Sequence, residues 1–289
     1  MDERTALAVL EDELEAAGDD AAVVDGQVLT TDMLHERTDF PPGTTRYTAG
    51  WRAVGASLSD VAAMGASATA AVAAYAAPEF EGTDLLEFVR GARDVCELVS
   101  AEYVGGDLDD HVEFTVATTA LGRTDEPTFR SGATPGEAVC VTGSLGRSAA
   151  ALEYFERGDA DRGNDLFQFE PRVEAGLALA PHASAMMDSS DGLARSLHQL
   201  AEAGGCGFEI DSDRVPIDDA VYDVTDDESE ALERATTFGE DFELVFTVPE
   251  GALEAVRDAS PVPIAVLGSV VEEGVWIDGE PMADRGYTH

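Results

Sequence analysis

The stretch Gly18–Asp32, GDDAAVVDGQVLTTD, sets both the fold and the chemical problem of this chain. Asp25-Gly26 stands between two short β-prone runs. Asp and Gly accept the left-handed backbone that a two-residue turn demands, so the stretch reads as a hairpin. In that register Asp19 faces Asp32 and Asp20 faces Thr31. Like charges opposed across a strand pair are destabilising. Two carboxylates about 4 Å apart repel by about 4 kcal/mol at an effective dielectric of about 20. Water must screen them, a proton must neutralise one, or a cation must sit between them. A strict hairpin also puts Asp20 and Asp32 on opposite faces, so a shared cation requires a bulge or ligands beyond the regular pairing.

Working outward, a Thr/Pro/Gly loop over 38–45 precedes a long apolar helix. Ser57 or Ser59 caps it before DVAAMGASATAAVAAYAA (60–77), which places Asp60 at a helix start. A second helix, TDLLEFVRGARDVCELVSAEY (83–103), takes Thr83 as its cap, and VEFTVATTALG (112–122) alternates as a strand. RSGATPGEAV (130–139) is the expected boundary between domains 1–132 and 133–289. Beyond it, AVCVTGSLG reads as strand and turn, RSAAALEYFERG as helix, ASAMMD as strand and SSDGLARSLHQLAEAGG as a glycine-closed helix. GFEID, ELVFTV and IAVLGSV read as further strands. DDAVYDVTDDESEALE (218–233) reads as a charged loop or edge. The class is α/β with α+β mixed sheets, in two domains of ordinary size.

The 289 residues carry a formal charge of -42, from 59 acidic against 17 basic residues, and every basic residue is arginine. Such self-repulsion is tolerable where salt shortens the Debye length, to about 3 Å at 1 M, so a salt-accumulating, halophilic cytosol is expected. Duplex nucleic acid is repelled. Cys96, Cys140 and Cys206 form no ligand pattern and read as buried thiols. The N-terminus, MDERTALAVLEDELEAAG, is acidic and helical in pattern. Neither a leader nor a membrane span is expected, which points to the cytoplasm.

In so acidic a chain most carboxylates are solvated surface, so position matters more than type. Asp32 lies at a strand end, Asp107 follows Gly105-Gly106, Asp188 closes a strand and Asp191 opens a helix. Ser59, Asp60, Ser190 and Asp191 also suit helix starts with no function at all. Jointly, Asp residues from separate elements, without His or Cys, form the oxygen-only donor set that magnesium takes together with substrate phosphates. The absence of lysine excludes the P-loop and the kinase β3 lysine. Arginine then supplies any remaining cation, with Arg130 the candidate. VTGSLG is either a phosphate cradle or a structural turn. Glu240 and Asp241 precede an apolar strand, as a charged loop or as a substrate-facing acid.

Taken in order, GDDAAVV, TTD, SLSDVAAMGA, GGD, RSGATPGEAVCVTGSLG, MMDSSDGLARSL, FGEDFELVFTVP and the terminal GY run from Gly18 to Tyr287. This set resembles the thiamine-monophosphate kinase family, in the superfamily of aminoimidazole ribonucleotide synthetase, selenophosphate synthetase and hydrogenase-maturation factors. The resemblance implies direct in-line transfer from ATP to thiamine monophosphate with several Mg2+ ions. It also implies a two-domain synthetase-like fold whose N-terminal strands form a shared barrel in a homodimer. By motif, Asp20, Thr30, Thr31, Asp32, Asp60, Asp107, Asp188 and Asp191 would hold magnesium, with Asp32, Asp60, Asp107 and Asp188 central to catalysis. Gly106, Asp107, Arg130 and Ser190 would meet ATP; Asp39, Glu240 and Tyr287 would meet the thiamine substrate. Asp39 stands where the family usually has His, LDDH follows GGD in place of Thr-Thr-Arg, and FGED brings Phe238 against an aromatic ring. Another superfamily activity, a non-catalytic nucleotide- or cation-binding protein, and plain halophilic surface are the alternatives. The charge excess generates one test: thermal unfolding followed from 0.1 to about 3 M KCl should show stability rising with salt.

Overall fold

The computed structural model describes residues 10, 13, 14 and 16–287. The N-terminal helical reading falls almost wholly outside them. Strand β1 (Ala22–Val24) and β2 (Gln27–His35) form the expected hairpin, in register Ala22↔Leu29 to Val24↔Gln27. Asp25 (φ 51°) and Gly26 (φ 74°) supply the left-handed turn. Pairing stops at Ala22, so Asp19 and Asp20 lie beyond the ladder.

A single helical turn (Glu36–Asp39) and a loop lead to α1 (Arg46–Ala63), whose first turn is capped by the Thr45 side chain accepting from Thr48 N. Here the structure departs from the sequence reading. The helix starts at Thr45, not at Ser57 or Ser59, so Asp60 lies in its last turn rather than its first. The Ala-rich run that follows is β3 (Ser67–Ala77), with Ala71, Ala73, Tyr75 and Ala77 buried and Val72 and Ala74 exposed. Alanine is the best helix former, but its preference is worth less than about 1 kcal/mol per residue, and sheet pairing on both sides overrides it.

Helix α2 (Gly82–Leu98) has no side-chain cap and contains Thr83. It packs on α1 through two glycines. A Cβ at Gly50 would stand 2.1 Å from Phe88 O, and one at Gly91 2.0 Å from Tyr47 O. Strands β4 (Glu102–Asp110) and β5 (Thr115–Arg123) complete a five-stranded sheet ordered β1-β2-β5-β3-β4, antiparallel except for β3–β4. Helices α1 and α2 cover its inner face, and the core is built on Val28, Val54, Leu58, Phe88 and Phe114.

The second sheet comprises β6 (Ala138–Thr142), β7 (Ala185–Asp188), β8 (Gly207–Ile210), β9 (Leu244–Val248), β10 (Ile264–Val271), β11 (Gly274–Ile277) and β12 (Glu280–Pro281). Their order is β12-β11-β8-β10-β6-β9-β7, with only β11–β8 parallel. Helices α3 (Arg147–Glu156), α4 (Ala160–Phe167), α5 (Val173–Leu179), α6 (Leu193–Gly204), α7 (Glu228–Thr237) and α8 (Leu253–Ala259) flank it. Two mixed sheets with helices agree with the expected class.

The acidic run around 218–233 is not merely a loop, because α7 begins there. Asp227 accepts from Glu230 N while Glu230 accepts from Asp226 N, close to a reciprocal cap that the sequence D-E-S-E carried. The three cysteines are free and buried, as read.

The α1–α2 contact yields a sign test. Gly91→Ala improves helix propensity by about 1 kcal/mol, yet overpacking costs about 1–3 kcal/mol. Since the added carbon meets backbone, the variant should melt several degrees lower in molar KCl; an unchanged or higher melting temperature would refute the close packing.

Candidate active site

Asp20 precedes β1, Asp60 sits in the last turn of α1 and Asp188 ends β7. One carboxylate oxygen from each lies within 4.8 Å of the others. Each polypeptide element ends at this point, so small residues and turns let three acids converge that no local pattern brings together. Thr30 Oγ1, on the inner face of β2, donates to Asp60 Oδ2 at 2.5 Å. Two residues on, Asp32 points the same way and accepts from Ser57 Oγ of α1 at 2.5 Å. The opening puzzle is thereby resolved: Asp20 reaches the inner face from beyond the ladder, and no bulge is needed.

The electrostatics are unfavourable for a metal-free protein. Burial pushes Asp60 well above the usual carboxylate range, and Asp32, Asp188 and Asp20 add repulsion. Its place at a helix C-terminus, the negative end of the macrodipole, works in the same direction. Burial and then Asp20 raise Asp188 to about 7. Asp19 rises to about 6, again from burial and then Asp20. One cation offsets this: Arg130 grips Asp20 through Nε (3.2 Å) and Nη2 (2.8 Å), and its backbone N–H donates to Asp19. One oxygen of Asp188, Oδ2, is buried without a hydrogen-bond partner among the described residues. Oxygen-only donors, surplus negative charge and an unpaired buried acceptor fit a hard divalent cation.

The remaining expected residues fall into two groups. Ser190 N donates to Asp188 Oδ1 (3.2 Å), Glu240 N donates to Ser190 O (2.6 Å), and Tyr287 N donates to Asp191 O (3.0 Å). Helix α6 starts only after Gly192 and has no side-chain cap, so Ser190 and Asp191 are not capping residues. The 188–191 turn instead ties the carboxylates to a cleft of about 450 Å³ lined by Asp39, Glu240 and Tyr287 with Phe238, Phe40 and Phe155. Tyr287 Oη donates to Thr38 O at 2.9 Å, and its ring meets Phe238 at 5.6 Å between centroids. Burial, then Glu240 and Asp39, raise the Tyr287 phenol to about 12, so it stays protonated as a donor.

Thr31, Gly106 and Asp107 lie elsewhere. Thr31 points to the outer face of the first sheet, donating to Thr118 O at 2.8 Å. Asp107 is exposed on β4, in register with Ala74 on that same outer face, and is not one of the three converging acids. At Gly106 a Cβ would meet Ala73 O at 1.7 Å, so that glycine serves close strand approach.

Sequence reasoning missed Arg52, which reaches Glu240, and gave Ser57 only a capping role. The signal for Arg52 was a single charge within the otherwise apolar helical run YTAGWRAVGAS.

With this geometry in view, comparison with known proteins is direct. Residues 18–124 match the AIR synthase related protein N-terminal domain and residues 134–277 its C-terminal domain. The thiamine-monophosphate kinase of Halobacterium salinarum is 62% identical over 291 residues, covering 100% of both chains. That of Methanospirillum hungatei is 39% identical over 299 residues, covering 100% of this chain and 99% of its own. The structure of AaThiL complexed with AMPPCP and TMP is similar with a TM-score of 0.90 at 28% identity, covering 99% of this chain and 96% of that one. The chain therefore belongs to the thiamine-monophosphate kinase family, within the AIR synthase related proteins.

Proposed function

We infer that this protein phosphorylates thiamine monophosphate with ATP, giving thiamine diphosphate and ADP. The observation that carries this reading is the junction of a three-carboxylate site with an aromatic, acid-lined cleft, joined through Asp188, Ser190 and Glu240. One end suits phosphates held with divalent cations, and the other suits a cationic aromatic substrate.

A terminal oxygen of the acceptor phosphate forms a bond to the γ-phosphorus, and the bond from that phosphorus to the β–γ bridging oxygen breaks, leaving ADP. The acceptor oxygen is already ionised near neutral pH, so no strong general base is required. Alignment and charge neutralisation carry the reaction. Asp20, Asp60 and Asp188, with Asp32 beside them, would hold magnesium, which when bound neutralises phosphate charge and supplies the electrostatic stabilisation that lysine provides elsewhere. By resemblance, Thr30 and Asp191 would join that shell and Arg130 and Ser190 would face the nucleotide; Thr31, Gly106 and Asp107, which the resemblance also implies, lie away from the three acids within one chain. Arg130 keeps Asp20 in place until the phosphates arrive. Asp39 is held by donation from His35 N and Thr38 Oγ1 to its Oδ2 (2.6 and 2.8 Å). With Glu240 and Tyr287 it would seat the thiamine rings, Phe238 covering one side.

The working unit is a homodimer in this reading. The outer face of the first sheet exposes Leu29, Met33 and Val72, which suits closure into a shared barrel. Thr31 and Asp107 lie on that face, so any part they take in the site requires the dimer. The division at 132/133, a cytoplasmic location and adaptation to high salt complete the proposal. No helix among the described residues is long and apolar enough to cross a membrane.

Activity and stability should move in opposite directions at the carboxylate site. Asp188→Asn should lower kcat by at least about 10³-fold in molar KCl with ATP and Mg2+, because charge neutralisation is the main catalytic contribution. Without metal at pH 8 the same variant should melt about 2–5 °C higher, since it removes a disfavoured buried charge. Asp32→Asn should likewise abolish turnover and stay folded. Wild-type activity in either variant would refute the assignment.

The pH dependence has a defined sign. Asp188 titrates at about 7 in the folded protein against an ordinary 3.8. A raised carboxylate contributes stability that is lost as pH rises through that window in the metal-free state. Metal binding requires the ionised form, so Mg2+ affinity should fall as pH drops from about 7.5 to 5.5, with protons released on binding. Calorimetry in two buffers of different ionisation enthalpy would detect this; pH-independent binding without proton release would contradict it.

A further inference from the structure

Arg52 is fully buried in the middle of α1. Its guanidinium lies 3.6 Å from the centroid of Phe167, with Phe169 and Phe242 each 5.4 Å away. Aromatic faces thus take the place of water around the cation. Nη1 donates to Phe167 O at 2.8 Å. Nη2 donates to Glu240 twice, to the backbone oxygen at 3.0 Å and to Oε2 at 2.6 Å. The two residues are 188 positions apart in sequence.

Glu240 is itself unusual. It has φ 63°, between Gly239 at 82° and Phe242 at 55°. Left-handed backbone at a non-glycine residue persists only where its surroundings over-determine it, and such positions cluster at functional sites. Here Ser148 Oγ donates to the Glu240 backbone oxygen at 2.6 Å, Glu240 N donates to Ser190 O at 2.6 Å, and Asp241 accepts from Gly146 N and Ser148 N. The side chain so fixed lines the cleft beside Asp39 and Tyr287. Arg52 also shares its helix with Ser57, which holds Asp32, and with Asp60. The eight-residue interval from Arg52 to Asp60 spans about 12 Å of a rigid rod.

The geometry points to Arg52 as a positioning residue for substrate specificity: it aims Glu240 into the cleft, in register with the carboxylates on the same helix, and so governs affinity for thiamine monophosphate without touching ATP. This rests on reading the cleft as the thiamine site. A buried ion pair that merely held the fold would, when weakened, lower stability and leave the Michaelis constants of the folded protein alone.

The test is steady-state kinetics in molar KCl, varying thiamine monophosphate at saturating ATP and then the reverse, with near-UV circular dichroism reporting folding. Arg52→Lys keeps the charge and loses the fork. It should raise KM for thiamine monophosphate about tenfold, the scale of one charge-assisted hydrogen bond, and leave KM for ATP within about twofold. Ser148→Ala, which removes the second hold on the Glu240 oxygen, should act in the same direction by about threefold. Glu240→Gln should also raise KM for thiamine monophosphate, and the Arg52→Lys, Glu240→Gln double variant should be no worse than the worse single one. If Arg52→Lys folds and changes neither constant, or both alike, while Glu240→Gln remains selective, the positioning role is wrong and the cleft reading survives. If Glu240→Gln leaves KM for thiamine monophosphate unchanged, the cleft reading falls and this inference with it. Should Arg52→Lys fail to fold, Ser148→Ala decides, and an unchanged KM there overturns the proposal.

Discussion

Mutual repulsion among Asp20, Asp60 and Asp188 is the constraint around which this molecule is organised. Three carboxylate oxygens within 4.8 Å of one another, with Asp188 buried and Asp20 and Asp60 partly so, are held together against both Coulomb repulsion and desolvation. Only a scaffold that is rigid for other reasons can impose such an arrangement. Arg130 relieves part of it through Asp20, and hydroxyls of Thr30 and Ser57 satisfy oxygens of Asp60 and Asp32. The residual negative charge is what divalent cations would neutralise, with coordination positions left for phosphate oxygens.

Helix α1 provides much of that rigidity. Its N-terminal half packs on α2 through Gly50 and Gly91, where backbone meets backbone with no room for a side chain. Its C-terminal half faces the second sheet through Ala62 and Ala63, which join the core containing Val173, Met186 and Phe246. Between these anchors the same helix carries Arg52, Ser57 and Asp60. A helix buried on almost every side is costly to move, so the groups it presents keep fixed distances from one another.

The chain's net charge of -42 invites the view that its acids are interchangeable. Burial separates them. Acids such as Glu153 or Glu230 meet arginines one helical turn away and are screened by solvent, so they contribute little individually. Asp188 and Glu243 are buried; Glu243 is held by two hydrogen bonds from Arg172, whereas one oxygen of Asp188 has no hydrogen-bond partner among the described residues. The same residue type thus serves solubility in salt, core satisfaction and candidate catalysis, according to how much water reaches it.

The sequence by itself determined the features that rest on short-range physics. The Asp25-Gly26 turn, the alternating strand over 115–123, the continuously apolar strand over 244–248, the glycine closing α6 and the class of mixed α and β elements all depend on backbone preferences and side-chain pattern within a few residues. The acids at element ends were legible for the same reason. Tertiary structure alone decided that Ser67–Ala77 is extended, that Asp60 ends a helix instead of starting one, and that Asp107 faces outward. It also brought Arg52 to Glu240. Local propensities differ by about 1 kcal/mol or less per residue, so pairing with strands far away in the chain overrules them. A contact between residues 188 positions apart leaves no periodic trace at all; it exists only because two sheets and a shared helix close around it.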